Sequence, residues 1–129
     1  PLHYRPDYEN HIAYIDGEGD ITFEECVELI EKQKADVGFR LHEINDYRDT
    51  TLKTDGDNVR LLAQMNQDLY AQIHDIRFAV VVNNGVGYGM SRMFKVWLQE
   101  SVEFEIFEDY DKAYAWVLEA AAKDVARSS

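Results

Sequence analysis

The chain has 129 residues with 25 acidic and 13 basic side chains, a net charge of -12, and is 46% hydrophobic. That length and apolar share fit one folded domain spanning residues 1–129 and exclude a disordered chain. So negative a field repels phosphate backbones and anionic membrane surfaces, which excludes nucleic acid and membrane as expected partners.

Residues 3–8 (HYRPDY) read as a short first strand, which Pro6 confines to a sheet edge. His11 to Glu18 reads as a second strand, paired with the first as a hairpin turning near Glu9-Asn10; Asp16-Gly17 is a competing turn signal. Thr22 and Glu25 form a capping box at the start of a helix. Phe23, Cys26, Val27 and Ile30 follow at helical spacing on one stripe, with the helix fading near Lys34 and broken by Gly38. Phe39 to Asp46 is the next predicted strand, unusual for a central position because His42, Glu43 and Asn45 interrupt Leu41 and Ile44. A loop over Tyr47 to Thr54 leads to a helix from about Asp57 to His74, capped by Thr54 or Asp55. Arg77 to Asn83 is nearly unbroken apolar chain and predicts a strand covered on both faces. After a turn over Asn84 to Gly87, a helix from about Tyr88 to Glu100 carries Met90, Met93, Phe94, Trp97 and Leu98. Val102 to Phe107 alternates as an edge strand, and Asp109 caps a last helix whose stripe is Ala113, Trp116, Val117 and Ala120. The tail from Lys123 is expected to fray.

The fold class that follows is α/β: a mainly parallel sheet of four or five strands, an antiparallel N-terminal edge strand and four helices. In order and wording the chain resembles the SpoIIAA-like family, a branch of the STAS-type fold. The resemblance rests on Asp46-Tyr47-Arg48, on Tyr88, Gly89, Arg92, Met93 and Phe94, and on Phe107-Glu108-Asp109 with Ala113 and Trp116. It implies a sandwich of that type and a regulatory role of the kind anti-sigma-factor antagonists play. In those antagonists a serine or threonine at the start of the second helix takes a phosphate that abolishes partner binding. The matching stretch here is Asp49 to Thr54, which makes Thr50, Thr51 and Thr54 the candidate phosphoacceptors; it has no serine, and Gly56 comes late.

Gly85, Gly87 and Gly89 follow a buried strand and open a helix, as in a phosphate cradle. Met90 stands where a dinucleotide fingerprint keeps its third glycine, so no cofactor is expected. His3, His11, His42 and His74 have no metal-ligand spacing, no metal site is expected, and a buried His42 reads as part of a hydrogen-bond network. Cys26, alone on an apolar stripe, reads as an inert thiol without a disulfide partner. With no apolar run of membrane-spanning length and no signal-peptide core, a reducing cytoplasm is the expected compartment.

Ligands of open parallel sheets sit beyond the carboxyl ends of the strands. That rim collects Asp46, Arg48, Asn84, Gly87, Tyr88 and Arg92 as the candidate binding residues for a protein partner or a small anionic ligand. The simpler reading of Asp46 and Arg48 is an ion pair with each other. The leading expectation is therefore a non-enzymatic regulatory or binding module. One alternative is a carrier of an apolar, lipid-like ligand, with Met90, Met93, Phe94 and Trp97 lining a SEC14-like pocket. A second is a small enzyme using Asp46, His42 or Arg48. The Val102 to Phe107 edge also admits a homodimer.

Overall fold

The computed structural model describes residues 1–73, 75–83 and 85–128. In chain order the elements are β1 (Leu2–Asp7), β2 (Ile12–Thr22), α1 (Phe23–Ala35), a 3₁₀ turn (Val37–Phe39), β3 (His42–Lys53) and α2 (Gly56–Tyr70). They continue with β4 (Arg77–Val81), α3 (Gly85–Leu98), β5 (Glu103–Phe107) and α4 (Tyr110–Ser128). The strands form one sheet in the order β1-β2-β3-β4-β5. β1 and β2 are antiparallel, and every later pairing is parallel.

This topology dictates the layers. Each parallel step moves one strand further in the same direction, so right-handed crossovers place α1, α2 and α3 on one face. There Ile30 of α1, Leu62 and Leu69 of α2 and Leu98 of α3 meet Phe78 and Val80 of the sheet and the adjoining Val82. α4 follows the last strand and covers the opposite face, where Ala113, Val117 and Ala121 pack on Ile12, Ile44, Ala79 and Val81. β4 is thus clad on both sides, which its unbroken apolar run requires; Ala79 and Val81 are fully buried.

Local chemistry explains the joints. Asn10 donates from its backbone N–H and side-chain amide to the Asp7 carboxylate at 3.1 and 2.8 Å, closing the β1–β2 hairpin. Asp16-Gly17 is not a turn: β2 runs through it, with a bulge against β3 between Asp16 and Glu18. A Cβ on Gly17 would lie 2.5 Å from the Thr50 methyl, so only glycine fits there. Thr22 ends β2 and caps α1 in the same residue, through the expected reciprocal pair with Glu25 at 3.2 and 3.0 Å.

Four sequence expectations need correction. β3 begins at His42, after the 3₁₀ turn and a left-handed Arg40 (φ 49°), and runs on through the stretch expected as a loop. Asp49 to Lys53 pairs with Glu18 to Thr22 of β2, and Thr50 and Leu52 turn inward while Asp49, Thr51 and Lys53 face out. That strand alternation lies under residues whose types suggest a loop. α2 ends at Tyr70, and Asp55 rather than Thr54 caps it, accepting the Asn58 N–H at 2.8 Å. α3 begins at Gly85 and ends at Leu98, so the expected turn at Gly85 to Gly87 is its first turn. α4 continues to Ser128, because Asp124 is buried and tied to β3; its buried small residue is Ala121, with Ala120 only half-buried. His74 and Asn84, to which expectations were attached, lie outside the described residues.

Candidate functional site

β3 carries the polar residues that looked out of place in a central strand, and period-two alternation sorts them between the faces. Toward α4 points His42, whose Nδ1 accepts the Arg77 N–H at 2.9 Å, so its Nε2 carries the proton donated to Asp124 at 2.6 Å. Burial, the main cause, pulls His42 below the usual histidine range despite the carboxylate beside it. Asp124 is further flanked by Arg40 at 3.5 Å and Arg127 at 3.5 Å. His42 is therefore the buried network residue expected, and its partner lies 82 positions away.

On this same face Arg48 grips Asp46 with two bonds, from Nε at 2.9 Å and Nη2 at 2.8 Å, and its guanidinium sits 5.3 Å from the Tyr110 ring. The Arg48 hydrogen bonds hold the Asp46 carboxyl below the usual carboxylate range. Asn83 donates to the Arg48 carbonyl at 2.8 Å, stitching the end of β4 to β3. The Asp46-x-Arg48 motif thus closes on itself. Tyr88 and Arg92 are exposed on α3, across the sheet, and no hydrogen bond, ion pair or ring contact joins them to Arg48 among the described residues. Gly87 lies near them at the start of α3. Of the threonines, Thr50 donates to the Tyr47 carbonyl at 2.8 Å, Thr51 is exposed on β3, and Thr54 precedes the α2 cap half-buried.

The opposite face holds a cavity that Met90 and Phe94 line, as the apolar-carrier alternative expected of them, but Met93 and Trp97 do not, and it has a polar wall that alternative did not include. The cavity, of about 350 Å³, lies between the sheet and the three-helix layer. Its body is apolar, formed by Leu62, Val80, Val82, Phe94, Leu98 and Phe104. At the C-terminal end of the strands it is framed by Thr51 and Leu52 of the β3 extension and by Gly87 and Met90 of α3. Thr51 and Gly87 are both exposed, so this end reaches the surface. α3 presents Met90, Ser91, Phe94 and Leu98 inward; Met93, expected on that stripe, is 49% exposed.

One wall of the cavity is polar. Glu43, Asn45 and Tyr47 reach it from alternate positions of β3, beside Gln33 of α1 and Tyr70 of α2. Glu43 Oε1 accepts the Gln33 amide at 3.1 Å, and its Oε2 accepts the Tyr70 hydroxyl. Tyr47 donates to Asn45 Oδ1 at 3.0 Å, and Asn45 Nδ2 donates to the Ala79 carbonyl at 3.3 Å. Burial is the main influence on Glu43 and pushes its carboxyl up to about 7, against the downward pull of its three hydrogen-bonding neighbours. Burial likewise raises Tyr47 and Tyr70, which stay protonated donors. It pushes the Cys26 thiol at the cavity edge up to about 11, far from the thiolate a nucleophile needs. The signal for this wall was the Glu-x-Asn-x-Tyr spacing within β3, which puts three polar groups on one face of a buried strand.

Among the described residues, no group of three or more His, Cys, Asp or Glu side chains could hold a metal ion. No helix among them is long and apolar enough to cross a membrane. No family model and no curated protein matches the sequence. The chain is similar in structure to an uncharacterised protein of the DUF3478 family with a SpoIIAA-like fold from Shewanella loihica PV-4, with a TM-score of 0.64. The match covers 91% of this chain and 92% of that one. This chain has a SpoIIAA-like fold. At 11% identity the likeness extends to the SpoIIAA-like architecture, its mixed five-stranded sheet and four helices, and stops there.

Proposed function

We propose that this SpoIIAA-like domain is a non-enzymatic binding module that takes a small amphipathic molecule into the cavity beneath α3. The observation that carries the reading is the cavity itself: about 350 Å³, apolar through most of its lining, with polar groups gathered on one wall. At roughly 30 Å³ per atom there is room for about a dozen non-hydrogen atoms, a short amphiphile rather than a two-chain lipid. The apolar body favours a hydrocarbon segment, and the polar wall favours one oriented head. Among the described residues, no nucleophile–base pair supports catalysis here, because the Cys26 thiol stays protonated and Asp46 and His42 are occupied by Arg48 and Asp124. A regulatory role in the cytoplasm fits the fold and the single protonated thiol. In this reading the ligand sets the position of α3, whose outer surface carries Tyr88 and Arg92 and would face a protein partner.

Calorimetric titration with octan-1-ol tests the proposal. The wild-type protein should bind one equivalent, and Ser91→Leu, which fills the cavity from α3, should weaken binding at least tenfold. Absence of binding, or equal binding by the filled variant, would overturn it.

A further inference from the structure

Resting on that reading, we infer that the cavity selects a head group that donates hydrogen bonds, an amine or an alcohol, and rejects carboxylates and phosphates. Donors and acceptors on the polar wall are unequally used. Its donors are spent internally: the Gln33 amide on Glu43 and the Tyr70 oxygen, the Tyr70 hydroxyl on Glu43, the Tyr47 hydroxyl on Asn45, and the Asn45 amide on the Ala79 carbonyl and Glu43. Its acceptors are not. Glu43 takes three donors, from Gln33, Tyr70 and Asn45, and Asn45 Oδ1 takes one, whereas a carboxylate offers about four lone-pair sites and an amide oxygen two, so each keeps one site open. A ligand reaching this wall meets spare acceptors, so it must bring the protons.

Charge points the same way. Among the described residues, those lining the cavity include no lysine, arginine or histidine, and Glu43 is their only carboxylic acid. An anionic head would be stripped of water opposite a buried carboxyl with no cation to pair it. The net charge of -12 adds a field that draws cations and repels anions. A small anionic ligand, the sequence-based expectation for the rim, therefore does not suit this cavity.

Ionisation makes the selectivity pH-dependent. Among the described residues, the titratable groups around Glu43 are Tyr70 from α2, Tyr47 from β3, Tyr4 from β1 and Cys26 from α1, all pushed upward and neutral near pH 7, and Asp36 just after α1, which accepts the Tyr4 hydroxyl at 2.7 Å beside a smaller cavity that Glu43 also lines. Glu43, at about 7, is the group that changes charge there. Above that pH its carboxylate attracts an ammonium, and below it the protonated acid does not. An alcohol feels little difference.

The test is a calorimetric comparison of octylamine, octan-1-ol and octanoate at pH 6 and pH 8, in 0.15 M salt to screen the global field. Octylamine at pH 8 should bind at least tenfold more tightly than octanoate, and its affinity should rise severalfold from pH 6 to pH 8. Glu43→Gln, shown to be folded by its circular dichroism, should lose the amine's advantage over octan-1-ol and its pH dependence. Octanoate binding as tightly as octylamine would overturn the inference and leave the cavity reading standing, as would an undiminished amine preference in Glu43→Gln. If none of the three binds, both fall. The pH series on the wild-type protein decides the matter even if the variant does not fold.

Discussion

The two faces of this sheet are built from adjacent residues of the same strands, yet they are packed for different ends. On the α4 side, Ala113, Val117 and Ala121 let one helix lie close on Ile12, Ile44, Ala79 and Val81. On the other side, three helices carrying larger residues span the sheet and leave a cavity against Val80 and Val82. Each face also receives a buried polar residue from β3. His42 is matched by Asp124 and flanking arginines, whereas Glu43 keeps acceptor capacity beside open space. A charge network that is closed holds a helix in place; one left incomplete next to a void can recognise something. On the proposed reading, this difference makes the three-helix face the functional one and the α4 face the scaffold.

The largest expected effect that sharpens this contrast is electrostatic. Glu43 holds its proton to about pH 7 in the fold, against 4.5 ordinarily, so between those values the folded state binds more protons than the unfolded chain. Its contribution is complete below pH 4.5 and is lost as pH rises through 7, a fall of about 3 kcal/mol. Denaturation at pH 4.5 and pH 8 should show wild-type stability falling by about that amount relative to Glu43→Gln. His42 on the other face has the opposite sign: its pKa is lowered, so its contribution is present above 6.5 and lost as pH falls through the lowered value.

Next in size is a matched pair of enlargements. Ala113→Leu forces extra volume under α4 and should cost about 2 kcal/mol in urea denaturation. Ser91→Leu adds similar volume under α3, where there is space, and should stabilise by about 1 kcal/mol. Equal losses in both variants would erase the distinction between the faces.

How legible this was in the sequence follows from the range of the interactions involved. The Thr22–Glu25 box, the β4 run and the Asp46–Arg48 pair are made by residues within a few positions of one another, and each stands where local pattern placed it. The extension of β3 depends on β2, some thirty residues earlier, and Asp49 to Lys53 looks like loop until that partner is known. The order of α4 beyond Lys123 depends on His42 for the same reason. The rim residues were placed at one end of the sheet, but spacing does not tell which face a β3 residue shares with α3, and Arg48 is across the sheet from Tyr88. The cavity was legible only as an alternative, because an apolar stripe says which side chains point inward, not whether they meet.

The central claim is most directly tested by methyl NMR on protein with ¹³C-labelled valine, leucine and isoleucine methyls, titrated with octan-1-ol. Val80 and Val82 flank Val81 in the chain but face the opposite layer. Shifts at Val80, Val82, Leu52 and Leu62, with Val81, Val117 and Ile44 unmoved, are the predicted result. Shifts of equal size at Val81 and Val117, or none at Val80 and Val82 at saturation, would contradict the account.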